Sequence, residues 1–183
     1  MDIKELVKKH QDYAVSMRRH FHENPEPSMK EFNTQKRVIE ELEKMGIEYV
    51  VAGGTGVVGT IKGKGPGKTV ALRADMDALE VPEENEVVYK SKIDGMMHAC
   101  GHDGHIAGLL TAAKMISEVK DEFDGTVKLF FQPGEEVAQG ALAMIKDGVM
   151  EGVDGIFGIH IWNDCEVGKI SVEAGPRMAS AGM

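Results

Sequence analysis

Three of the seven histidines and one of the two cysteines fall within eight residues, HACGHDGH at 98–105. Cysteine and histidine side chains are ligands that suit zinc, cobalt, nickel or manganese better than calcium. The cluster has three interpretations: a metal site, a cysteine nucleophile with a histidine base, or a chance grouping on a surface loop. The residue types of this segment alone do not distinguish among the three interpretations.

Three other segments carry residues that could complete such a site. They are Asp75 and Asp77 after the apolar run TVALRAD, Gly134-Glu135-Glu136 after TVKLFFQP, and His160 within GIFGIHIW. Of two adjacent glutamates, one can ligate a metal while the other acts as a base. That pairing suits metal-assisted hydrolysis, in which a carboxylate removes a proton from an activated water.

The hydrophobic pattern indicates which elements must position these residues. It predicts helices over 3–21, 28–45, 102–119 and about 138–147. Asn24-Pro25 should end the first helix, and Ser28 and Gly46 should cap the second. Strands are predicted for EYVVA, VVGTIKG and TVALRAD, for TVKLFFQP and GIFGIHIW as buried strands, and for KISVEAG as a final, more exposed one. The pattern predicts an α/β fold, a three-layer α/β/α sandwich around a largely parallel mixed sheet.

In open α/β sheets, ligands bind beyond the carboxyl ends of the strands. The strand-end residues and the HACGHDGH loop should therefore meet at one edge of the sheet. Each segment alone has an ordinary structural explanation, such as a core histidine or acidic residues at a helix start. Their convergence favours a metal site. A closed structural zinc cage would need neither GEE nor strand-end aspartates.

Composition excludes several classes of function. A formal net charge of −9 argues against nucleic acid as a partner, because phosphate binding needs a basic patch. No apolar run approaches the ~20 residues needed to cross a bilayer. The charged, amphipathic N-terminal segment lacks a secretory signal, and two cysteines cannot form a disulfide framework. We therefore expect a cytoplasmic protein with no membrane partner.

Two glycine-rich stretches imitate nucleotide-binding loops. GTGVVG, at 54–59, fits G-x-G-x-x-G, but a strand follows instead of the helix that would receive the pyrophosphate. GPGKT, at 65–69, lacks the earlier glycine of a phosphate loop, since Lys62 stands there. Both are predicted to be turns between strands.

Five ordered motifs give the chain a specific resemblance. RADMDALEVPE, MHACGHDGH, LFFQPGEE, GIFGIHIW and GPRMASAG resemble the metal-dependent amidohydrolases and carboxypeptidases that include hippurate hydrolase and the indoleacetyl-amino-acid hydrolases. These belong to the aminoacylase-type zinc peptidase superfamily. The resemblance implies a co-catalytic zinc-exopeptidase-like (phosphorylase/hydrolase-like) catalytic domain. It also implies hydrolysis of the amide bond of a small N-acyl amino acid or peptide-like substrate by a metal-bound hydroxide.

The same resemblance implies roles for particular residues. Two divalent ions, zinc or manganese with cobalt or nickel as alternatives, would be held by Cys100, His102, Glu136 and His160. Cys100 would bridge the two ions. Glu135 would be the general base, and Asp77, counted with it as catalytic, would orient ligands together with Asp75. Apart from the resemblance, the HACGHDGH segment itself suggests that His98 and His105 are either outer supports of the site or structural residues.

Length is the main departure from the family. Its members run to roughly twice this size, with a satellite dimerisation domain and a further histidine ligand after the MASAG motif. Residues 1–183 are thus expected to be the N-terminal part of the catalytic domain, with low or no hydrolase activity alone. Two alternatives remain. The first is a non-catalytic fragment that binds metal or forms a homo-oligomer through an unpaired edge. The second is a cysteine-dependent hydrolase.

Overall fold

A computed structural model describes residues 2–174 of the chain. Four α-helices and five strands make up most of this part. The helices are α1 (Ile3–Glu23), α2 (Phe32–Lys44), α3 (His102–Glu118) and α4 (Gly140–Lys146), with a 3₁₀ turn at Lys120–Glu122. The strands are β1 (Glu48–Ala52), β2 (Gly56–Lys62), β3 (Thr69–Asp75), β4 (Thr126–Gln132) and β5 (Gly155–Gly158).

The strands form one mixed sheet in the order β1-β2-β4-β3-β5. Strands β4, β3 and β5 are parallel to one another, whereas β1 and β2 form an antiparallel hairpin whose second strand is also antiparallel to β4. Asp75 at the end of β3 lies opposite Gln132 at the end of β4. The carboxyl ends of three neighbouring strands therefore share one edge of the sheet, as the sequence predicts.

Helices cover both faces of the sheet. On one face, α1, α2 and α3 pack a large core that includes Phe21, Leu42, Ile106 and Phe131. On the other face, α4 places Met144 in a smaller cluster, with partners Ala52, Val58, Ala71, Phe130 and Val149. Full burial of one such large apolar side chain stabilises a fold by about 1.5–3 kcal/mol. The predicted three-layer α/β/α fold is confirmed.

The two glycine-rich segments that resemble nucleotide-binding loops lie at turns between strands. Gly53 and Gly54 have φ values of 64° and 86°, which L-residues with a Cβ rarely adopt, and they close the β1–β2 hairpin. Residues 65–68 connect β2 to β3 without a helix. The exclusion of a nucleotide-binding loop at either place is consistent with this geometry.

The start of the second helix was predicted wrongly. Helix α2 begins at Phe32, and Ser28 does not cap it, because its hydroxyl donates a hydrogen bond to the Asp77 carboxylate at 2.6 Å. Glu26 takes over the capping role, since its carboxylate accepts the N–H groups of Asn33 and Thr34. A serine before an apolar run resembles a cap, but a distant carboxylate competes for it.

The last part of the described chain also differs from the prediction. GIFGIHIW was expected to be a buried strand, yet β5 covers only Gly155–Gly158 and leaves Phe157 63% exposed. Strand β5 pairs with β3 alone, so its second edge has no neighbour among residues 2–174. The predicted KISVEAG strand is absent over 169–174, and Gly175 and the GPRMASAG motif lie outside the described residues.

The fourth helix is shorter than expected, beginning at Gly140 rather than near 138. No helix within residues 2–174 combines the length and apolarity that a bilayer span requires.

Candidate metal centre

The predicted site residues meet at the carboxyl edge of the parallel strands. Asp75 ends β3 and Asp77 follows it, Glu135 and Glu136 follow β4, and His160 lies two residues beyond β5. Cys100 and His102 enter this edge from the loop before α3, where Gly101 adopts a left-handed φ of 87°. That φ lets the chain turn sharply into the helix and present both side chains to the strand ends.

His102 is the centre of the cluster. Its Nδ1 donates a hydrogen bond to the Asp77 carbonyl oxygen at 2.8 Å, so the lone pair is on Nε2. The side chain is fully buried, and Nε2 has no hydrogen-bond partner in the described part of the chain. Such an orphaned ring nitrogen is costly to bury unless something binds it.

Three carboxylate oxygens surround that nitrogen. Asp75 Oδ1 lies at 3.6 Å from Nε2, Glu136 Oε1 at 3.8 Å and Glu135 Oε2 at 3.9 Å. These distances are too long for hydrogen bonds. A cation bound by His102 would neutralise the repulsion among the carboxylates, and a ring nitrogen with carboxylate oxygens is a donor set for zinc or manganese.

Cys100 and His160 also belong to the cluster around His102. The Cys100 Sγ and His160 Nε2 atoms are 3.5 Å apart. His160 Nδ1 donates to the Ile161 carbonyl oxygen at 2.6 Å, which leaves Nε2 as the atom that can bind a metal. The candidate ligand atoms of Cys100, His102 and His160 lie within 4.8 Å of one another, and so do those of His102, Glu135 and Glu136.

The thiol of Cys100 is not an activated nucleophile. Burial, and then the negative charge of Glu136, raise the pKa of the Cys100 thiol to about 12. Catalytic cysteines instead have a depressed pKa in an electropositive setting. The structure therefore disfavours the cysteine-dependent hydrolase, whereas a divalent cation would deprotonate the thiol directly.

The carboxylates differ in their protonation equilibria. Burial, and then the charge of Glu136, raise the pKa of Glu135. Burial also opposes ionisation of Asp77, but hydrogen bonding from His102 and Ser28 outweighs it and lowers that pKa. The protonated form is therefore favoured at Glu135 more than at an ordinary glutamate, and the charged form is favoured at Asp77.

His105, for which the sequence suggested a supporting role, has both ring nitrogens engaged in hydrogen bonds. Its Nδ1 donates to Asp75 Oδ1 at 2.6 Å, and its Nε2 accepts the Ile161 N–H at 2.9 Å. Burial opposes ionisation of Asp75, yet the His105 hydrogen bond and the charge of Arg73 lower its pKa well below the usual range. The candidate ligand atoms of Asp75, His102 and His105 also lie within 4.8 Å of one another, but both ring nitrogens of His105 are hydrogen-bonded, which leaves it no free atom for a metal.

His98 has a different environment from His105. It is 3% exposed, neither ring nitrogen has a hydrogen-bond partner within residues 2–174, and burial lowers its pKa to about 4. It is a neutral, buried residue beside the site.

Two supports come from a loop that the sequence did not mark as functional. Ser28 binds Asp77 Oδ2, which also accepts the Glu136 N–H at 3.0 Å. The fully buried Glu31 accepts the Gly134 N–H at 2.8 Å. The loop between α1 and α2 therefore fixes the Gly134-Glu135-Glu136 turn. A charged residue with no exposure could not be identified from a polar connecting segment.

The structure also contains a second buried network of hydrogen bonds, which the sequence did not predict. His22 donates from both ring nitrogens, from Nδ1 to Asp103 Oδ2 at 2.7 Å and from Nε2 to Glu83 Oε1 at 3.0 Å. Arg18 Nε lies 2.9 Å from the same Asp103 oxygen. This network joins α1, α3 and the loop after β3. No partner for His22 could be named from the sequence, because both partners are more than 60 residues away.

A cleft of about 510 Å³ opens beside Cys100 and His160. Arg18, Tyr89 and Trp162 are among its lining residues. It offers space for a small molecule next to the candidate ligands.

Fold and site together define an α/β protein with a candidate centre for divalent metal ions at the carboxyl edge of its sheet. The chain belongs to peptidase family M20/M25/M40, whose sequence profile matches residues 71–176, more than half of the chain.

Individual relatives agree with this assignment. The chain is 50% identical over 182 residues to thermostable carboxypeptidase 2 of Saccharolobus solfataricus, covering 97% of this chain and 46% of that protein. It is 44% identical over 181 residues to the N-acyl-L-amino acid amidohydrolase of Geobacillus stearothermophilus, covering 98% and 49%. The YXEP protein of Bacillus subtilis, described as a dinuclear metal-binding peptidase from the M20 family, superposes with a TM-score of 0.89 at 42% identity, covering 92% and 48%. The resemblance stated from the motifs is confirmed, and the chain spans about half the length of these relatives.

Proposed function

We propose that this chain carries metal-binding and catalytic residues of an amidohydrolase that cleaves the amide bond of N-acyl amino acids or similar small peptides. The names of the carboxypeptidase and the amidohydrolase relatives support that reaction class. Cys100, His102, His160 and Glu136 would hold two divalent ions. Glu135 would be the catalytic base, and Asp77 would orient His102.

The observation that carries the proposal is the unpartnered Nε2 of His102. This atom is buried, carries a lone pair, and faces three carboxylate oxygens at 3.6–3.9 Å, with Cys100 and His160 alongside. The ring nitrogens of His98 are also unpartnered within residues 2–174, so the three carboxylate oxygens around His102 Nε2 are what make a cation fit at this position.

The chemistry of the reaction fits the local charges. When bound, divalent ions supply Lewis acidity that activates a water molecule and polarises the amide carbonyl. Glu135 accepts a proton as the water oxygen bonds to the carbonyl carbon. It then gives that proton to the departing amide nitrogen as the C–N bond breaks, yielding a carboxylic acid and an amine. The raised pKa of Glu135 suits a group that must hold the proton between these two steps.

We further infer that residues 1–183 are the N-terminal part of a larger catalytic domain. Strand β5 supports this, because its edge is unpaired within residues 2–174 and its apolar side chains, such as Phe157, are exposed. The proposed partner is the small substrate, and a homo-oligomer through this edge is the alternative. The net charge of −9 argues against nucleic acid. A cytoplasmic location remains a prediction that the two unpaired cysteines support.

A chimera tests the catalytic proposal despite the low activity expected of this half alone. Residues 1–183 would replace the matching part of the Geobacillus stearothermophilus amidohydrolase. The chimera, loaded with zinc, manganese or cobalt, should hydrolyse N-acetyl amino acids. Glu135→Gln in the chimera should lower kcat by about 10²–10⁴-fold. Its metal content, measured by elemental analysis, should stay unchanged.

Glu5→Gln is the matched control, because Glu5 is exposed in the first turn of α1, away from the sheet edge. It should leave kcat unchanged. A folded, metal-loaded chimera without activity would contradict the proposal. So would a Glu135→Gln chimera that retains full activity.

A further inference from the structure

We infer that His105 is the positioning residue for His160: it holds the backbone that presents the His160 ring to Cys100. The inference rests on the proposed metal site, and it adds a residue that binds no metal itself. His105 would act through the segment 159–162 and not on substrate.

The segment that carries His160 needs an anchor. Strand β5 ends at Gly158, and residues 159–162 belong to no helix or strand. Ile159 is 75% exposed, so this segment is not fixed by burial of that side chain. An unsupported segment would let the His160 ring move, and a metal ligand must be held closely in place.

A continuous chain of hydrogen bonds supplies that anchor. Asp75 accepts from His105 Nδ1 at 2.6 Å, so the N–H of the His105 ring is on Nδ1 and its lone pair on Nε2. That lone pair accepts the backbone N–H of Ile161 at 2.9 Å. The carbonyl oxygen of Ile161 in turn accepts from His160 Nδ1 at 2.6 Å. The donor or acceptor role of every atom in this series of hydrogen bonds is thus fixed by its partner.

The last hydrogen bond of this series determines which ring nitrogen of His160 can bind a metal. With Nδ1 donating to Ile161, Nε2 carries the lone pair and lies 3.5 Å from Cys100 Sγ. Asp75 is itself fixed by Arg73, whose Nη1 lies 2.5 Å from Oδ2. The charged pair Arg73 and Asp75 on β3 is therefore connected by hydrogen bonds, through His105, to the segment after β5.

Packing reinforces the same alignment. The His105 and His160 rings meet edge to face, with centroids 4.7 Å apart. The side chain of Ile161 lies against Gly104 so closely that a Cβ there would collide with it. The first turn of α3 is thus shaped to receive the segment that carries His160.

Cobalt binding tests the inference without any need for turnover. Co²⁺ would be titrated into the full chain and into His105→Leu, His105→Gln and His10→Leu variants, with thiolate-to-cobalt absorption as the signal. His105→Leu should weaken Co²⁺ binding by about 10–100-fold, as loss of an outer partner of a ligand does. His105→Gln should bind nearly as the wild type does, because its side-chain oxygen can accept the Ile161 N–H.

His10→Leu is the matched control for general damage to the fold. His10 is also a buried histidine beside a carboxylate, with Nε2 3.0 Å from Glu118 Oε1, but it lies on α1 away from the sheet edge. It should lower thermal stability without changing Co²⁺ affinity. Equal affinity of the wild type and folded His105→Leu would overturn the inference, and so would equal losses in His105→Leu and His10→Leu.

The wild-type chain gives a second measurement that does not depend on how His105→Leu folds. Long-range ¹H–¹⁵N spectra should show the His105 ring protonated at Nδ1 and unprotonated at Nε2. A proton on Nε2 would overturn the inference, since that nitrogen could not accept from Ile161. Failure of the wild type to take up Co²⁺ would overturn the proposed metal site as well, which distinguishes the two failures.

Discussion

Two buried histidines, His22 at the end of α1 and His102 at the start of α3, have opposite environments. The His22 cluster consists of Arg18, His22, Glu83 and Asp103. The His102 cluster consists of Asp75, Asp77, His102, Glu135 and Glu136. In the His22 cluster both ring nitrogens contact carboxylates at 2.7 and 3.0 Å. In the His102 cluster Nε2 has no hydrogen-bond partner within residues 2–174, and its nearest carboxylate oxygen is 3.6 Å away.

The difference separates a structural network from a binding site. In the His22 cluster two carboxylates face an arginine and an imidazole, so the charges can balance without any ligand. In the His102 cluster four carboxylates face one nearby cation, Arg73, because the neutral His102 ring carries a lone pair on Nε2. Buried histidines beside carboxylates are therefore not equivalent, and the unbalanced, unsatisfied cluster is the one suited to bind cations.

The largest expected effect comes from breaking the satisfied cluster. His22→Leu leaves Glu83 and Asp103 buried without their shared partner, so we expect a loss of about 3–5 kcal/mol in the free energy of unfolding. Urea denaturation of the variant and the wild type measures it. Co²⁺ affinity of the folded variant should be unchanged. A loss below ~1 kcal/mol would mean that the network does not stabilise the fold.

His102→Asn should give the opposite result. The asparagine amide can still donate to the Asp77 carbonyl, but the ligand nitrogen is gone. We expect Co²⁺ affinity to fall by more than the ~10–100-fold that loss of an outer partner costs. Urea denaturation should show a smaller loss of stability than His22→Leu. Calorimetric titration measures the affinity, and unchanged binding would remove His102 from the site.

The pH dependence of stability should sharpen the contrast further. The hydrogen bond that His22 donates to Asp103 outweighs burial and raises the pKa of His22 above its ordinary 6.5, so its stabilisation is complete below pH ~6.5 and is lost as pH rises through the folded pKa. The pKa values of Asp103 and Glu83 are lowered, because their contacts outweigh burial, so their contribution is lost in acid. The cluster should therefore stabilise most between pH ~4.5 and 6.5.

The difference in unfolding free energy between the wild type and His22→Leu isolates this contribution. Measured by urea denaturation across pH 4–9, it should shrink as pH rises above 6.5. A difference that instead grows at high pH would show that His22 does not act as a cation between its two carboxylates.

Sequence periodicity located most elements of the fold, because buried strands and amphipathic helices have distinct apolar spacing. It failed where tertiary competition decided the outcome. Ser28 has the residue type of a helix cap, but Asp77, 49 residues away, binds it instead. GIFGIHIW has the apolar content of a buried strand, but only four of its residues pair, and they lie at an edge.

The sequence by itself determined which residue types follow each parallel strand, and hence that Cys100, His102, Glu135, Glu136 and His160 would meet at one edge. Strand order and handedness fix that convergence, because side chains that follow parallel strands must lie near one another. Only the tertiary structure decided that His22 is satisfied and His102 is not, and that His105 supports His160 through Ile161. Those assignments depend on angstrom-scale distances between atoms far apart in the chain, which no local pattern of residue types specifies.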